Sequence, residues 1–399
     1  MTSTTRKEDP GFLYYAIKRV WMAAGATETH AHYVADAITF AHIQGKLNQG
    51  LGVYEAIDIA LEMGILDISA EPKVIEEGPV WATVDGNRSS GYWCLNIMAD
   101  LAIEKAREHG IGLVFGGNHN DAGSFARYVY KAFEQDMMAM SSNNTVPLAA
   151  PFGGMLNKLS CAPFDAISPA GDQPPIWTSV ALAEFYDADV AEAGIHNKPL
   201  KGKWLIDPET GELSADAAPY ARPVEGYGRV WDCAAAGQLG EPRTYALNLW
   251  NELLAAVVNP IGIPVTELPT IADYAAGNAS PSVGGSYYIA IDPSVFGPLA
   301  SVLEKALLLQ RTLLTGKKEP NVAANELAVQ AVDQENRALE QEINNLKTEL
   351  ELRRTLAGNA AMAIVQRHST RAAGSRGVFE GDTLRDRLRE VQKPRSVAP

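Results

Sequence analysis

Cysteine is scarce. The 399 residues hold three thiols, Cys94, Cys161 and Cys233, and no two form a CxxC pair. An odd, sparse set excludes a disulfide framework, gives no zinc signature, and fits a reducing compartment. Cations are also in short supply. Lys and Arg number 34 against 48 Asp and Glu, a net charge of −14. Such a chain repels phosphate backbones, which argues against nucleic acid as a partner. No apolar run approaches ~18 residues, so no membrane-spanning helix is expected. The opening "MTSTTRKEDP" has no apolar core of a signal peptide, and a cytoplasmic protein is the expectation. Short catalytic signatures are missing too. There is no GxGxxG between a strand and a helix, no GxxxxGK[ST], no HExxH and no GxSxG. These absences remove the common dinucleotide fingerprint, the phosphate loop, the zincin site and the serine-hydrolase elbow. "GGNHNDAG" is glycine-rich but lacks phosphate-loop spacing.

What is present is an ordinary globular composition, 46% hydrophobic and 21% charged. "FLYYAIKRVWMAAG" has helical periodicity and ends at Gly25; Thr27 then reads as the N-cap of "ETHAHYVADAITFAHIQG". "WCLNIMADLAIEKAREHG" is an amphipathic helix closed by Gly110. "IGLVFGG" reads as a buried strand, "SFARYVYKAFEQD" as a helix and "MMAMSS" as another strand. "IDPETGEL" is a turn, "TYALNLWNELLAAVV" an apolar helix expected to be internal, "GSYYIAIDP" a strand and "SVLEKALLLQRTLL" a helix. Helices alternating with short apolar strands predict an α/β protein.

Composition shifts between positions 320 and 362 toward Gln, Glu, Asn and Leu. Val329, Val332, Asn336, Leu339, Ile343, Leu346 and Leu350 fall on a and d heptad positions, and Arg353 ends the pattern. Asn336 at an a position favours a two-stranded register. Two readings stand: a helix packed on its own domain, or a coiled-coil arm between subunits. The division expected is an N-terminal helical region (1–75) contributing to the substrate site, a central α/β domain (76–319), the heptad helix (320–362) and a charged C-terminal extension (363–399).

Several segments, in order, carry a resemblance: "GGNHNDAG" (116–123), "SSNNTVP" (141–147), "APFGG" (150–154), "LSCAP" (159–163), "SPA" (168–170), "KWLIDPETGEL", "RTYALNLWNELL" and "GGSYYIAIDPSVF" (284–296). Together they resemble the type 2 malate/L-lactate dehydrogenase-like family, which includes ureidoglycolate, sulfolactate and diketogulonate oxidoreductases and cyclic imino-acid reductases. The resemblance covers roughly 12–310 and resumes near "RHSTRAAGSRGV". It implies a non-Rossmann nicotinamide-binding fold with a mixed sheet, a homodimer, and hydride transfer between NAD or NADP and a 2-oxo or 2-imino acid. Such a fold explains the missing fingerprint.

Carried over residue by residue, the resemblance breaks around the substrate. The family motif Arg-Gly-x-x-Ser-His-Gly, with an Arg three residues further on, is "QGKLNQG" followed by "LGV" here. Its Ser-His pair becomes Asn48 and Gln49, and its Arg becomes Val53. The resemblance makes that His a proton donor and that Arg a carboxylate grip. A glutamine amide does not titrate, and a valine offers no bidentate fork. The family's orienting Asp falls on Ser179. Ser160 and Cys161 stand in place of the Gly-Thr of Gly-Thr-Asn-Pro. Arg243 keeps the charge of Lys-Gly-Tyr-Gly-Leu. His119 matches a His that several members use as the acid, and Asn144 and Thr145 match a cofactor loop.

Each candidate has a plainer reading. His119 reads equally as a buried loop histidine, Gln49 as a turn residue, Cys161 as a small core residue and Arg243 as a surface arginine. Trp177, Trp204 and Trp250 are expected in packing, and no metal site is expected. Three functions are compatible with this pattern. The first is an NAD(P)-dependent oxidoreductase of altered specificity. It would act on a carbonyl or imine of a small molecule, with His119 as acid, Gln49, Asn48 and Ser179 near the substrate, and Asn144, Thr145, Ser160, Cys161 and Arg243 near the cofactor. The second is a non-redox lyase or hydrolase on the same scaffold. The third is a silent subunit whose inserted arm mediates assembly.

Overall fold

The computed structural model describes residues 9–315. The exceptions are 186–188, 191–192, 195–196, 208–209, 219–220, 224–230, 234–235, 239–241, 271–272 and 274–282. The heptad stretch 320–362 and the extension 363–399 lie outside the described residues.

Two capped helices open the chain. In α1 (Pro10–Ala23) the Asp9 carboxylate accepts from Phe12 N, 3.0 Å. In α2 (Glu28–Ile43) Thr27 Oγ1 accepts from His30 N, 3.2 Å, as the sequence predicts. A turn over 45–50 and one 3₁₀ turn lead into α3 (Tyr54–Glu62). The strands β1 (Lys73–Glu77) and β2 (Trp81–Asp85) precede α4 (Gly91–His109), which Gly110 closes with φ +86°. Then come β3 (Ile111–Gly117), α5 (Ala126–Phe133), β4 (Met138–Thr145), β5 (Pro147–Ala150), β6 (Leu159–Ser160), β7 (Pro163–Ala170) and β8 (Gln173–Ala181). Short strands follow: β9 (Leu205–Ile206), β10 (Leu213–Ser214), β11 (Ala221–Pro223), β12 (Trp231–Cys233) and β13 (Ala236–Gln238). Helix α6 (Pro242–Glu252) runs into a π-helical turn, Leu253–Val257. The strand β14 (Val283–Ile291) and helix α7 (Leu299–Thr315) end the described chain.

The main sheet has the order β1-β2-β3-β14-β4-β7-β8. Only β2 and β3 are parallel neighbours; every other pair is antiparallel. β14 enters between β3 and β4, antiparallel to both, and so separates two strands that run the same way. This mixed order is not the doubly wound one, which accounts for the missing GxGxxG. A smaller sheet has the order β10-β9-β13-β5-β6.

Side chains alternate between the two faces of a strand. One face of the main sheet carries Ala82, Val84, Val114, Ala139, Ile167 and Tyr288 against Leu95, Met98 and Ile103 of α4 and Tyr128 and Val129 of α5, all buried. Each large apolar side chain there contributes about 1.5–3 kcal/mol of burial. The other face sets Phe115 and Tyr287 against Ala255 of the π turn. A separate cluster joins α1, α2 and α3 through Ile17, Trp21, Val34, Ile38, Val53 and Ile57.

Two sequence expectations need correction. The segment after Pro242 is not an internal helix. It leaves α-geometry at Leu253, and its outer side is open, with Trp250 61% exposed. Trp250 is therefore not packed among the described residues. Residues to Leu314 form one compact unit.

Candidate active site

The C-terminal ends of β2, β3 and β4 lie at one edge of the main sheet, since these strands run the same way. The N-terminal ends of β14 and β7 and the C-terminal end of β8 meet them there. Ligands of open α/β sheets bind outside the carboxyl ends of strands. The same edge gathers most of the residues singled out from the sequence.

The register puts a polar row on the helix-covered face at this edge. Ser286 pairs with Asn143, Ser141 with Asp165, and Asp165 with Ser179. These positions share parity with Tyr288, Ala139, Ile167 and Trp177, which point into the core of that face. The face is apolar along the strands and polar at its rim.

His119, in the loop after β3, is wholly buried. Its Nδ1 meets the Asn120 carbonyl at 2.8 Å and its Nε2 meets Ser286 Oγ at 2.9 Å. Burial holds its pKa down to about 4, against the smaller opposing pull of the Asn120 carbonyl, so the ring is neutral at pH 7. Both ring nitrogens are committed within the fold.

The turn that the sequence marks as altered, "GKLNQG", follows α2. Asn48 is exposed, and its Oδ1 accepts from Gln49 N at 3.0 Å; Gln49 is half-buried. Val53 is buried in the cluster of α1, α2 and α3. A cation there would have to displace that core. Neither Asn48 nor Gln49 is bonded to His119. The residue of this turn that reaches the rim is Lys46. Its Nζ donates to Ser179 Oγ at 2.6 Å and to Ser124 Oγ at 3.4 Å.

Ser179 sits opposite Asp165 and hydrogen-bonds its carboxylate. Asp165 is 3% exposed, and its Oδ1 has no hydrogen-bond partner among the described residues. Burial pushes its pKa up to about 6; the Ser179 hydroxyl, the Lys46 ammonium and the Trp177 indole pull it back only in part. Sequence reasoning missed both Lys46 and Asp165. The available signal was a carboxylate alternating with Ile167 in a strand whose other inward positions are apolar.

Asn144 has no free group. Its Oδ1 accepts from Gly285 N at 2.7 Å, and its Nδ2 donates to Glu252 Oε1 and to the Ile263 carbonyl, both at 2.9 Å. It ties β4 to β14 and to the end of α6. Thr145 is half-buried beside it. Cys161 Sγ donates to the Phe185 carbonyl at 2.7 Å. Arg243 is exposed at the first turn of α6. Around α6 several buried polar atoms lack hydrogen-bond partners among the described residues: Ser160 Oγ, Asn248 Oδ1 and Glu252 Oε2. Buried polar atoms need partners. This set, mostly acceptors, fits an amide-bearing group such as a nicotinamide carboxamide. Among the described residues no cluster of His, Cys, Asp and Glu is placed to hold a metal. None of the described helices is long and apolar enough to cross a membrane.

The chain is similar to known proteins along most of its length. The family model for malate/L-lactate dehydrogenase matches residues 12–345. The L-sulfolactate dehydrogenase of Methanocaldococcus jannaschii is 29% identical over 272 residues, covering 68% of this chain and 74% of that protein. A malate dehydrogenase of Pyrococcus horikoshii is 26% identical over 319 residues, 77% of this chain and 82% of its own. Among solved structures, the M. jannaschii sulfolactate dehydrogenase superposes with a TM-score of 0.66 at 25% identity, covering 78% of this chain and 85% of that one. The Δ1-piperideine-2-carboxylate reductase of Pseudomonas syringae pvar. tomato shares the fold, with a TM-score of 0.68 at 20% identity over 80% of this chain and 92% of that one. The mixed sheet and the ordered motifs thus have one source: this chain belongs to the malate/L-lactate dehydrogenase family.

Proposed function

We propose that the protein is an NAD(P)-dependent dehydrogenase acting on a carbonyl or imine of a small organic molecule, with specificity altered from that of its relatives. The observation that carries this reading is the polar rim from His119 to Ser179, built on the strand-end edge of a sheet shared with dehydrogenases. Ser160, Asn248 and Glu252 would hold the nicotinamide end of the cofactor, and Arg243, at the N-terminus of α6, its phosphates. When bound, the reduced cofactor supplies a hydride; the protein supplies position and a proton. Asn48 and Gln49 would border the substrate. Val53 provides no cation, which favours a substrate other than a simple 2-oxo acid. The acidic charge balance and sparse thiols support a cytoplasmic enzyme. A homodimer is supported by the open row Trp250, Leu253 and Val257 on α6 and the π turn.

Titration of the full chain with NADH and NADPH tests this, followed by nicotinamide fluorescence and melting temperature. A ligand at a hundredfold excess over Kd stabilises the native state by about 2.7 kcal/mol. A clear shift with one nucleotide is expected. No shift with either removes the dehydrogenase reading.

A further inference from the structure

We propose that Lys46 is the proton donor of this site, positioned by Ser179 over the buried carboxylate of Asp165. The assignment rests on the dehydrogenase reading above and deepens it.

Reduction of a carbonyl needs a proton for the oxygen, and the other candidates cannot give one. Gln49 carries an amide. His119 is sealed and neutral at pH 7, with both nitrogens bonded. The Asp165 carboxyl is buried behind Ser179 and largely ionised at pH 7. Lys46 differs in each respect. It is half-buried, it reaches the rim from a turn, and its ammonium has three protons. Two are spent on Ser179 and Ser124. The third has no acceptor among the described residues and is left for a substrate oxygen.

The support behind it is built rather than incidental. The Ser179 hydroxyl accepts from Lys46 and stands opposite Asp165 in the strand register, so ammonium, hydroxyl and carboxylate share one cluster. A buried carboxylate with an unpartnered oxygen is costly to keep in a sheet. Its position beside the Lys46–Ser179 contact gives it a use: it keeps the Ser179 hydroxyl, and through it the Lys46 side chain, aimed at the rim. Asp165 is thus a positioning residue, and Lys46 the catalytic one.

In the step assigned, the reduced cofactor, when bound, would supply the hydride for the new C–H bond at the substrate carbon. The C=O π pair moves onto oxygen, and that oxygen takes one proton from Lys46 Nζ. The hydroxyl product leaves, the nicotinamide is left oxidised, and the neutral amine regains its proton from solvent.

The test uses full-length Lys46→Met, Lys46→Arg and Asp165→Asn. The first measurement needs no substrate: each variant is titrated with NADH and NADPH as above. Lys46→Met binds the nucleotide as wild type does, because the residue gives a proton and does not grip the cofactor. Loss of nucleotide binding in folded Lys46→Met overturns the assignment and makes Lys46 a cofactor ligand instead. The second measurement is reduction of a panel of 2-oxo acids, ketones and cyclic imines with NADH and NADPH. Lys46→Met lowers kcat about 100-fold or more with little change in KM. Lys46→Arg keeps the charge but releases no proton at pH 7, so it stays as low. Wild-type-like kcat in Lys46→Met, or recovery in Lys46→Arg, overturns proton donation and leaves the dehydrogenase reading intact. A wild-type chain that neither binds a nucleotide nor reduces any panel member overturns that reading, and this assignment with it.

Discussion

Residues at the strand-end rim carry opposite electrostatic burdens, and each gives a distinct pH signature. Asp165 has its folded pKa raised from 3.8 to about 6. The folded state therefore holds the proton more tightly, and stability falls as pH rises from about 4 through 6. Asp165→Asn removes that loss. It should stabilise the protein by about 3 kcal/mol at pH 7.5 and by little below pH 4. Urea unfolding at the two pH values checks this, and equal effects at both would refute it. The buried histidines act in the other direction. His30, whose Nε2 meets Ser90 Oγ at 2.5 Å, and His119 are both held down to about 4 by burial. The unfolded chain takes up their protons near 6.5 and the folded protein does not, so stability is lost as pH falls from 6.5 toward 4. By pH 5 the loss is about 2 kcal/mol for each. Between pH 7 and 5 His30→Gln should lose about 2 kcal/mol less than wild type, the His119 share remaining; an equal fall in both would deny His30 that role. At this scale the sequence was only partly legible. Ser179 could be placed by counting along the chain. Its partner Lys46 is 133 residues away, in a turn without periodicity, and no local pattern links the two.

Elements were more legible than residues. α1, α2 and α4 have strong periodicity, and the structure keeps the boundaries read at Thr27 and Gly110; α1 instead starts earlier, capped by Asp9, and ends at Ala23, before Gly25. The strands "IGLVFGG" and "GSYYIAIDP" declared themselves by short β-branched and aromatic runs. The π turn after α6 did not, because nothing in "NELLAAVV" marks the point where the hydrogen-bond step lengthens. Its cause is tertiary. A Cβ on Gly285 would stand 2.1 Å from the Ala255 carbonyl and 2.6 Å from Asn259 Nδ2, so backbone packs on backbone where the turn crosses β14. Asn259 Nδ2 also donates to the carbonyls of Ala255 and Gly116, at 2.9 and 2.8 Å. Gly285→Ala should therefore destabilise the protein by about 3 kcal/mol. It should also weaken nucleotide binding, by shifting Asn144 and Glu252. A melting scan and a nucleotide titration read the two effects. Unchanged binding in a folded variant would separate the π turn from the site.

The whole molecule raises the question of what covers α6. Its exposed row is interrupted by no charge from Trp250 to Val257, apart from the buried Glu252. If the proposed homodimer forms through this row, Trp250→Glu should be a monomer at micromolar concentration where wild type sediments as a dimer; an equal mass for the two would overturn that proposal. The α/β class was visible in the sequence, but the order of the main sheet was not. Its central strand comes from far away. β14 begins roughly 140 residues after β4 ends, and it fills the gap between β3 and β4. During synthesis β3 and β4 leave the ribosome on the order of ten seconds before the strand that joins them. Their inner edges stay unpaired for that interval, and unpaired edges recruit other chains. The sheet closes only when β14 arrives, so the nascent protein is most exposed to chaperones and to aggregation while its middle is still being made.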